Sequence, residues 1–257
     1  MILDKIVEAT KIRVEKSMEA VSFETLYSRA LCSGYLNHRF EKALRKDGLS
    51  FICEVKKGSP SKGIISEDFP YMDIAKNYEQ CGADCISVLT EPDFFKGDNR
   101  YLSEISKTVT TPLLRKDFII DEYQIYEAKN LGASAILLIC AILTQEQLNE
   151  YYMSAINHGM SVLVETHNER EVEMALECGA EIIGVNNRDL NDFSVDLRTS
   201  ERLRKYVPED KVFVSESGIS TPEDIKRVRE YGADAVLIGE AFMRAENIGE
   251  MMERLRR

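Results

Sequence analysis

The sequence predicts an α/β fold, a (β/α)8 TIM barrel with an N-terminal helical extension, and three observations carry that expectation. A Gly-Ala pair recurs in four segments: "CGADCISVLT" from Cys81, "LGASAILLIC" from Leu131, "CGAEIIGVNN" from Cys178 and "YGADAVLIGE" from Tyr231. Each pair ends a helical stretch and leads through a short polar turn into β-branched and aliphatic residues, with glycine supplying the left-handed position at the helix end. Further strand-like runs alternate with these units, giving eight strands and eight helices over roughly 210 residues. The unit count, and the lack of a G-x-G-x-x-G turn after the first strand, argue against an open doubly wound sheet.

The elements follow in order along the chain. Residues 1–48 lie outside the repeat and read as helical additions, with Ile2, Leu3, Ile6 and Val7 at helical spacing and Ser22 placed to cap a second helix. Strands are expected near 51–56, 84–90, 112–117, 135–140, 161–166, 181–186, 211–216 and 234–239. The stretches between them carry apolar residues at the helical period: "MDIAKNYEQ", "YLSEISKTV", "DEYQIYEAKN", "QEQLNEYYMSAINHG", "NEREVEMALEC", "TSERLRKYV", "PEDIKRVREYG" and, last, "IGEMMERLRR". The whole chain, 1–257, reads as one barrel domain of which 1–48 is the extension.

Composition narrows the function. With 44% hydrophobic and 30% charged residues and six prolines, the chain suits an ordered globular protein. A formal charge of -11 leaves no basic patch to follow a phosphate backbone, which argues against nucleic acid. The run "AILLICAIL" is too short to span a bilayer and the charged start is no signal peptide, so neither membrane nor export is expected. Six cysteines without C-x-x-C spacing, mostly inside apolar runs, point to a reduced cytoplasmic setting. His38, His158 and His167 are scattered without a ligand pattern, so no metal site is expected.

In such a barrel the site lies where strands end and βα loops begin. In "SFICEVKKGSPSKG" the alternation of an extended chain puts Ile52, Glu54 and Lys56 on one face and Phe51, Cys53 and Val55 on the other. The third strand end groups Leu114, Lys116 and Phe118, and the fifth ends in Glu165. The sixth groups Gly184, Asn186 and Arg188, the seventh ends in Glu216, Ser217 and Gly218, and the eighth in Gly239 and Glu240. One charged residue at a strand end is ordinarily solvated, but lysines and glutamates converging on one rim form a general acid and base set. Glycines after the seventh and eighth strands fall in the two loops that commonly bind phosphate in this fold, and Ser59 adds a hydroxyl. The spacing in "KKGSPSKG" is not that of a Walker loop.

These residues resemble the indole-3-glycerol phosphate synthase family of tryptophan biosynthesis over nearly the whole chain. The resemblance rests on seven ordered blocks, each at a strand end: "EVKKGSPSKG" (54–63), "VLTEPDFFKG" (88–97), "LLRKDFIIDEYQIYEA" (113–128), "VETH" (164–167), "GVNNRDL" (184–190), "VSESGI" (214–219) and "LIGEAFM" (237–243). It implies a carboxy-lyase that closes the ring of 1-(2-carboxyphenylamino)-1-deoxyribulose 5-phosphate with release of carbon dioxide and water. Lys116 is the implied general acid and Glu165 the general base. Lys56 is a second cation, binding the substrate carboxylate or serving in dehydration, with Glu54 as its counter-charge. Asn186 and Glu216 would hold the sugar hydroxyls and reacting centre, and Arg188 would assist with the carboxylate or structure its loop. Phe95 and Phe118 would wall the aromatic ring, while Ser59, Ser217, Gly218, Leu237, Gly239 and Glu240 complete the substrate- and phosphate-binding set. No cofactor is implied, and the expected partner is a small phosphorylated molecule bound by a monomer.

Two departures, Gly58 where the family often has alanine and Glu122 where proline is usual, touch loop stiffness rather than chemistry. Among phosphate-binding barrels the rival is a phosphoribosylanthranilate isomerase-like enzyme, but it relies on a cysteine at the first strand end, and Cys53 faces away from Glu54 and Lys56. A catalytically silent metabolite-binding barrel is the other alternative; loss of Lys116 or Glu165 would have favoured it.

Overall fold

The computed structural model describes residues 2–60, 62–66, 68–189 and 192–257, so Ser61 and Leu190 of the quoted blocks lie outside the described residues. Three helices come first: α1 (Ile2–Ala20), α2 (Phe23–Cys32) and α3 (Arg39–Leu44). Ser22 caps α2 as the sequence suggests, its hydroxyl accepting from the Thr25 amide at 3.3 Å. Strand β1 (Ser50–Val55) is followed by a small antiparallel hairpin, β2 (Gly58–Ser59) with β3 (Gly63–Ile64). The alternation then runs α4 (Tyr71–Gln80), β4 (Cys85–Leu89), α5 (Asn99–Ile105), β5 (Leu113–Lys116), α6 (Glu122–Asn130), β6 (Ala135–Ile139), α7 (Gln145–Asn157) and β7 (Ser161–Thr166). It ends with α8 (Glu169–Glu177), β8 (Ile182–Asn186), α9 (Arg198–Arg204), β9 (Val212–Glu216), α10 (Pro222–Glu230), β10 (Ala235–Ile238), α11 (Glu240–Met243) and α12 (Ile248–Arg256).

All the long strands pair in parallel, in the order β1-β10-β9-β8-β7-β6-β5-β4, and the barrel closes as β4 returns to β1. The glycines of the four Gly-Ala repeats all take positive φ: Gly82, Gly132, Gly179 and Gly232 end α4, α6, α8 and α10. Each lets the chain turn back into the next strand within a few residues, which is why the repeat spacing is so regular.

Two apolar layers result. Phe51, Cys53 and Val55 face the helices with Ile86, Ile136 and Phe213, whereas Ile52 faces inward with Leu114, Leu137, Leu163 and Val214. Each such fully buried side chain contributes about 2 kcal/mol through removal from water. The extension closes both ends of the interior. Phe40 and Leu44 of α3 join the inner layer beside the strand starts, where the Cys85 thiol donates to the Phe40 carbonyl and Ser50 to that of Leu44. Ile6 of α1 belongs to the same layer, and Leu3 of α1 reaches the opposite end, where it lines a cavity with Phe95 and Phe118.

Strand limits agree with expectation to within a residue or so at each end. One difference lies after β6, where Cys140 opens a single 3₁₀ turn (Cys140–Ile142) instead of extending the strand. Another is α5, which begins earlier than "YLSEISKTV" because Asp98 caps it by accepting from the Arg100 amide at 2.8 Å. No described helix is long and apolar enough to cross a membrane.

Candidate active site

Closure of the barrel gathers the strand-end residues at one mouth, around a cavity of about 680 Å³. Parallel register sets their heights: Leu89 lies beside Lys116, Ile139 beside Glu165, Glu165 beside Gly184, and Asn186 beside Glu216. Every residue nominated from the sequence lines this cavity: Glu54, Lys56, Ser59, Phe95, Lys116, Phe118, Glu165, Asn186, Arg188, Glu216, Ser217, Gly218, Leu237, Gly239 and Glu240.

At the centre the Lys116 Nζ sits 2.8 Å from Glu165 Oε2 and 3.1 Å from Glu216 Oε2, with all three side chains largely buried. Across the cavity Lys56 Nζ pairs with Glu54 Oε2 at 2.7 Å. Burial alone would drive Lys116 towards neutrality, but Glu165, Glu216 and Glu54 outweigh it and hold the ammonium well above its ordinary range. Glu165 is likewise opposed by burial, yet Lys116 and His167 keep it ionised, well below the usual carboxylate range. Glu216 goes the other way. Burial, reinforced by the neighbouring charges of Glu165 and Glu54, outweighs the pull of Lys116 and pushes it up to about 7. Its Oε1 is buried without a hydrogen-bond partner among the described residues, an acceptor or hydroxyl open to whatever fills the cavity.

Two glycines clear this space. A Cβ at Gly184 would lie 2.3 Å from Glu216 Oε1, and one at Gly239 would lie 2.5 Å from Glu54 Oε2 and 3.1 Å from Lys56 Nζ. Both ion-pair groups therefore occupy room that any other residue would fill. Beyond β9, Ser217 (φ 69°) and Gly218 (φ 81°) are both left-handed, and Ser217 has no glycine freedom to make that easy. Asn187 holds the turn: its amide Nδ2 donates to Ser215 Oγ and to the Glu216 and Ser217 carbonyls, while Ser200 donates to its Oδ1.

On the apolar side, the Phe95 and Phe118 rings stand 5.9 Å apart at 36°, and Leu3 of α1 completes the wall. The loop bearing Phe95 is fixed by the buried Glu91 carboxylate, which accepts from the amides of Asp93, Phe94 and Phe95. Arg188 Nη1 donates to the Phe193 carbonyl at 3.1 Å, tying its own loop. Glu240 pairs with Arg244 at 3.1 Å and with Lys62 at 3.9 Å, so its carboxylate tethers two cations at the rim. Cys53 lies in the outer layer, fully buried, away from the mouth.

Reading strand ends missed four residues. Asn187 is the outward neighbour of the inward Asn186, so alternation pointed away from it. Leu3 and Arg13 belong to the extension, whose docking no local pattern reveals; Arg13 binds Asp117, next to Lys116, at 2.7 and 3.0 Å. His167 stands in "VETH", two residues from Glu165, where its spacing is the one signal that sets it apart from the other two histidines.

Fold and site together define the class: a (β/α)8-barrel enzyme built for general acid and base chemistry at its C-terminal mouth. A family model described as indole-3-glycerol phosphate synthase matches residues 3–255. The chain belongs to the indole-3-glycerol phosphate synthase family. Indole-3-glycerol phosphate synthase of Endomicrobium trichonymphae is 56% identical over 257 residues, covering 100% of both chains. That of Ruminiclostridium cellulolyticum is 55% identical over 259 residues, covering 100% of this chain and 99% of the relative. Among solved structures, 3-hexulose-6-phosphate synthase superposes with a TM-score of 0.63 at 16% identity, over 81% of this chain and 98% of its own, a likeness of fold alone.

Proposed function

We propose that the chain converts 1-(2-carboxyphenylamino)-1-deoxyribulose 5-phosphate to indole-3-glycerol phosphate, carbon dioxide and water, a carboxy-lyase step of tryptophan biosynthesis. The observation that carries this reading is the Lys116–Glu165–Glu216 cluster facing the Lys56–Glu54 pair across one cavity. The Lys116 ammonium donates to the C2 carbonyl oxygen, and the ring carbon bearing the carboxylate attacks C2. The new C–C bond takes its electron pair from the aromatic ring, and the carbonyl pair becomes a hydroxyl. Loss of carbon dioxide returns the C–carboxylate pair to the ring. Dehydration follows: Glu165 takes the anilino N–H proton as the C2 hydroxyl leaves as water with a proton from Lys56, or from Lys116 recharged by solvent; C1 then gives up a proton and the nitrogen regains one, which completes the C1=C2 bond and the indole ring.

Acid and base are coupled through their short contact. While Lys116 is charged it holds Glu165 ionised and weakly basic, and once Lys116 has given its proton to the carbonyl oxygen that hold is lost, so acid action in ring closure prepares Glu165 for base action in dehydration. Return of the proton from Glu165 to Lys116 over 2.8 Å resets the pair. Lys56 binds the substrate carboxylate or supplies the dehydration proton, with Glu54 balancing its charge. The left-handed Ser217–Gly218 turn, Gly239 and Ser59 offer backbone and hydroxyl donors to the phosphate, and Phe95 and Phe118 stack about the aromatic ring. The protein works as a single chain in the cytoplasm.

The test is fluorimetric: purified protein given the carboxyphenylamino substrate should generate indole fluorescence. No gain at micromolar enzyme would refute the activity. Lys116→Ala should lower kcat by at least about 10²-fold while the substrate still binds; near-normal turnover would remove Lys116 from the acid role.

A further inference from the structure

One largely buried titratable side chain behind the mouth is given no step in the chemistry above. His167 leaves the end of β7 on the same side as Glu165, two residues earlier. Its Nε2 stands 3.4 Å from Glu165 Oε1, and its Nδ1 stands 3.0 Å from Glu171 Oε2. Glu171 also accepts from the His167 amide at 2.8 Å, and is itself fixed at the start of α8, where Asn168 Nδ2 donates to its Oε1 at 2.6 Å. The two oxygens of Glu165 are thus served separately, Oε2 by Lys116 and Oε1 by the imidazole.

We infer that His167 is a positioning residue for Glu165, an imidazolium anchored by Glu171 that keeps the carboxylate ionised and turned towards the substrate. The inference rests on the reading of Glu165 as the general base. Both ring nitrogens face carboxylate oxygens, and carboxylates only accept. A neutral ring would set a lone pair against one of them, whereas the doubly protonated ring suits both. At 3.4 Å the Nε2 contact is longer than a good hydrogen bond, and Nε2 has no other partner among the described residues, so it acts mainly through charge.

The surroundings agree. Burial alone would favour the neutral ring, but Glu165 and Glu171 outweigh it and hold the proton up to about 10. The Cys140 thiol, which donates to the Glu171 carbonyl at 3.5 Å, is kept neutral by burial and adds no charge. Lys116 lies beyond Glu165, and Arg170 and Glu173 share with Glu171 a neighbouring cavity outside the mouth.

The chain has three histidines, so ¹⁵N-histidine labelling resolves each ring by NMR. One ring should remain doubly protonated at pH 8 and vanish from the spectrum of His167→Gln. In Glu171→Gln it should titrate within about a unit of 6.5. The kcat of Glu171→Gln relative to the unaltered enzyme should then fall about tenfold between pH 6 and pH 8, with KM little changed, as Glu165 loses its cation. A neutral His167 at pH 8 in the unaltered enzyme, or a rate ratio independent of pH, would overturn the inference. Full turnover by Glu165→Gln, with the imidazolium still present, would overturn the base assignment and this inference with it.

Discussion

Glu216 shows how much one side chain's surroundings decide. Glu165 and Glu216 are both strand-end glutamates in contact with Lys116, yet Glu165 is held ionised and Glu216 is pushed up to about 7. The difference lies in the second partner: Glu165 has His167, whereas Glu216 Oε1 has none among the described residues. The folded protein therefore binds a proton at Glu216 over a range, from about 4.3 to about 7, where the unfolded chain has lost it. Its ionisation opposes folding progressively as pH rises through that window. Glu216→Gln should accordingly raise Tm relative to the unaltered protein at pH 8 but not at pH 4.5, while lowering turnover; equal Tm differences at the two pH values would show that the carboxyl is not displaced. At this scale sequence was informative about identity and face, because alternation along a strand is local. It was silent on which glutamate would be the stronger acid, because that depends on partners from other strands.

The element that sequence placed least well is the one most directly tied to the chemistry. Helix α1 reaches the mouth through Leu3 and locks to the strand end after β5 through Arg13, whose guanidinium makes a two-pronged contact with Asp117. Asp117 is fully buried and also accepts from Thr90 Oγ1 at 2.6 Å and Arg115 Nη2 at 3.2 Å, while Arg115 binds Glu127 at 2.6 Å. Burial works against this carboxylate, but Arg13, Arg115 and Thr90 together hold it down to about 2. The resulting stability is present above about pH 4 and lost as pH falls towards 2. Arg13→Ala leaves the buried Asp117 with one cation fewer, and should cost about 3 kcal/mol in denaturant unfolding at pH 7. It should also lower kcat, because Lys116 is the adjoining residue; an unchanged kcat would uncouple the helix from the site. The strands and longer helices were legible because each carries its own period and a glycine stop. The hairpin β2–β3 and helices α3 and α11 were not, since two to six residues are too few to show any period.

Over the whole molecule, the barrel separates a stabilising end from a reactive one. Phe40, fully buried in the interior at the strand-start end, lies remote from the mouth. Phe40→Ala should destabilise by about 3–5 kcal/mol yet leave kcat per folded molecule unchanged, measured by denaturant titration beside steady-state rates. A parallel loss of kcat would mean that the interior transmits packing changes to the site. The sequence by itself determined the fold class and the shared inward face of Glu54 and Lys56, of Lys116 and Phe118, and of Asn186 and Arg188. Each of these follows from periodicity and glycine position within a short stretch. Only the tertiary structure decided which charges pair, where α1 docks, that Asn187 fixes the Ser217 turn, and that His167 stands between Glu165 and Glu171. Those facts are distances between residues far apart in the chain, or angles of side chains at a closed mouth. They arise when β4 returns to β1 and the extension settles against both ends.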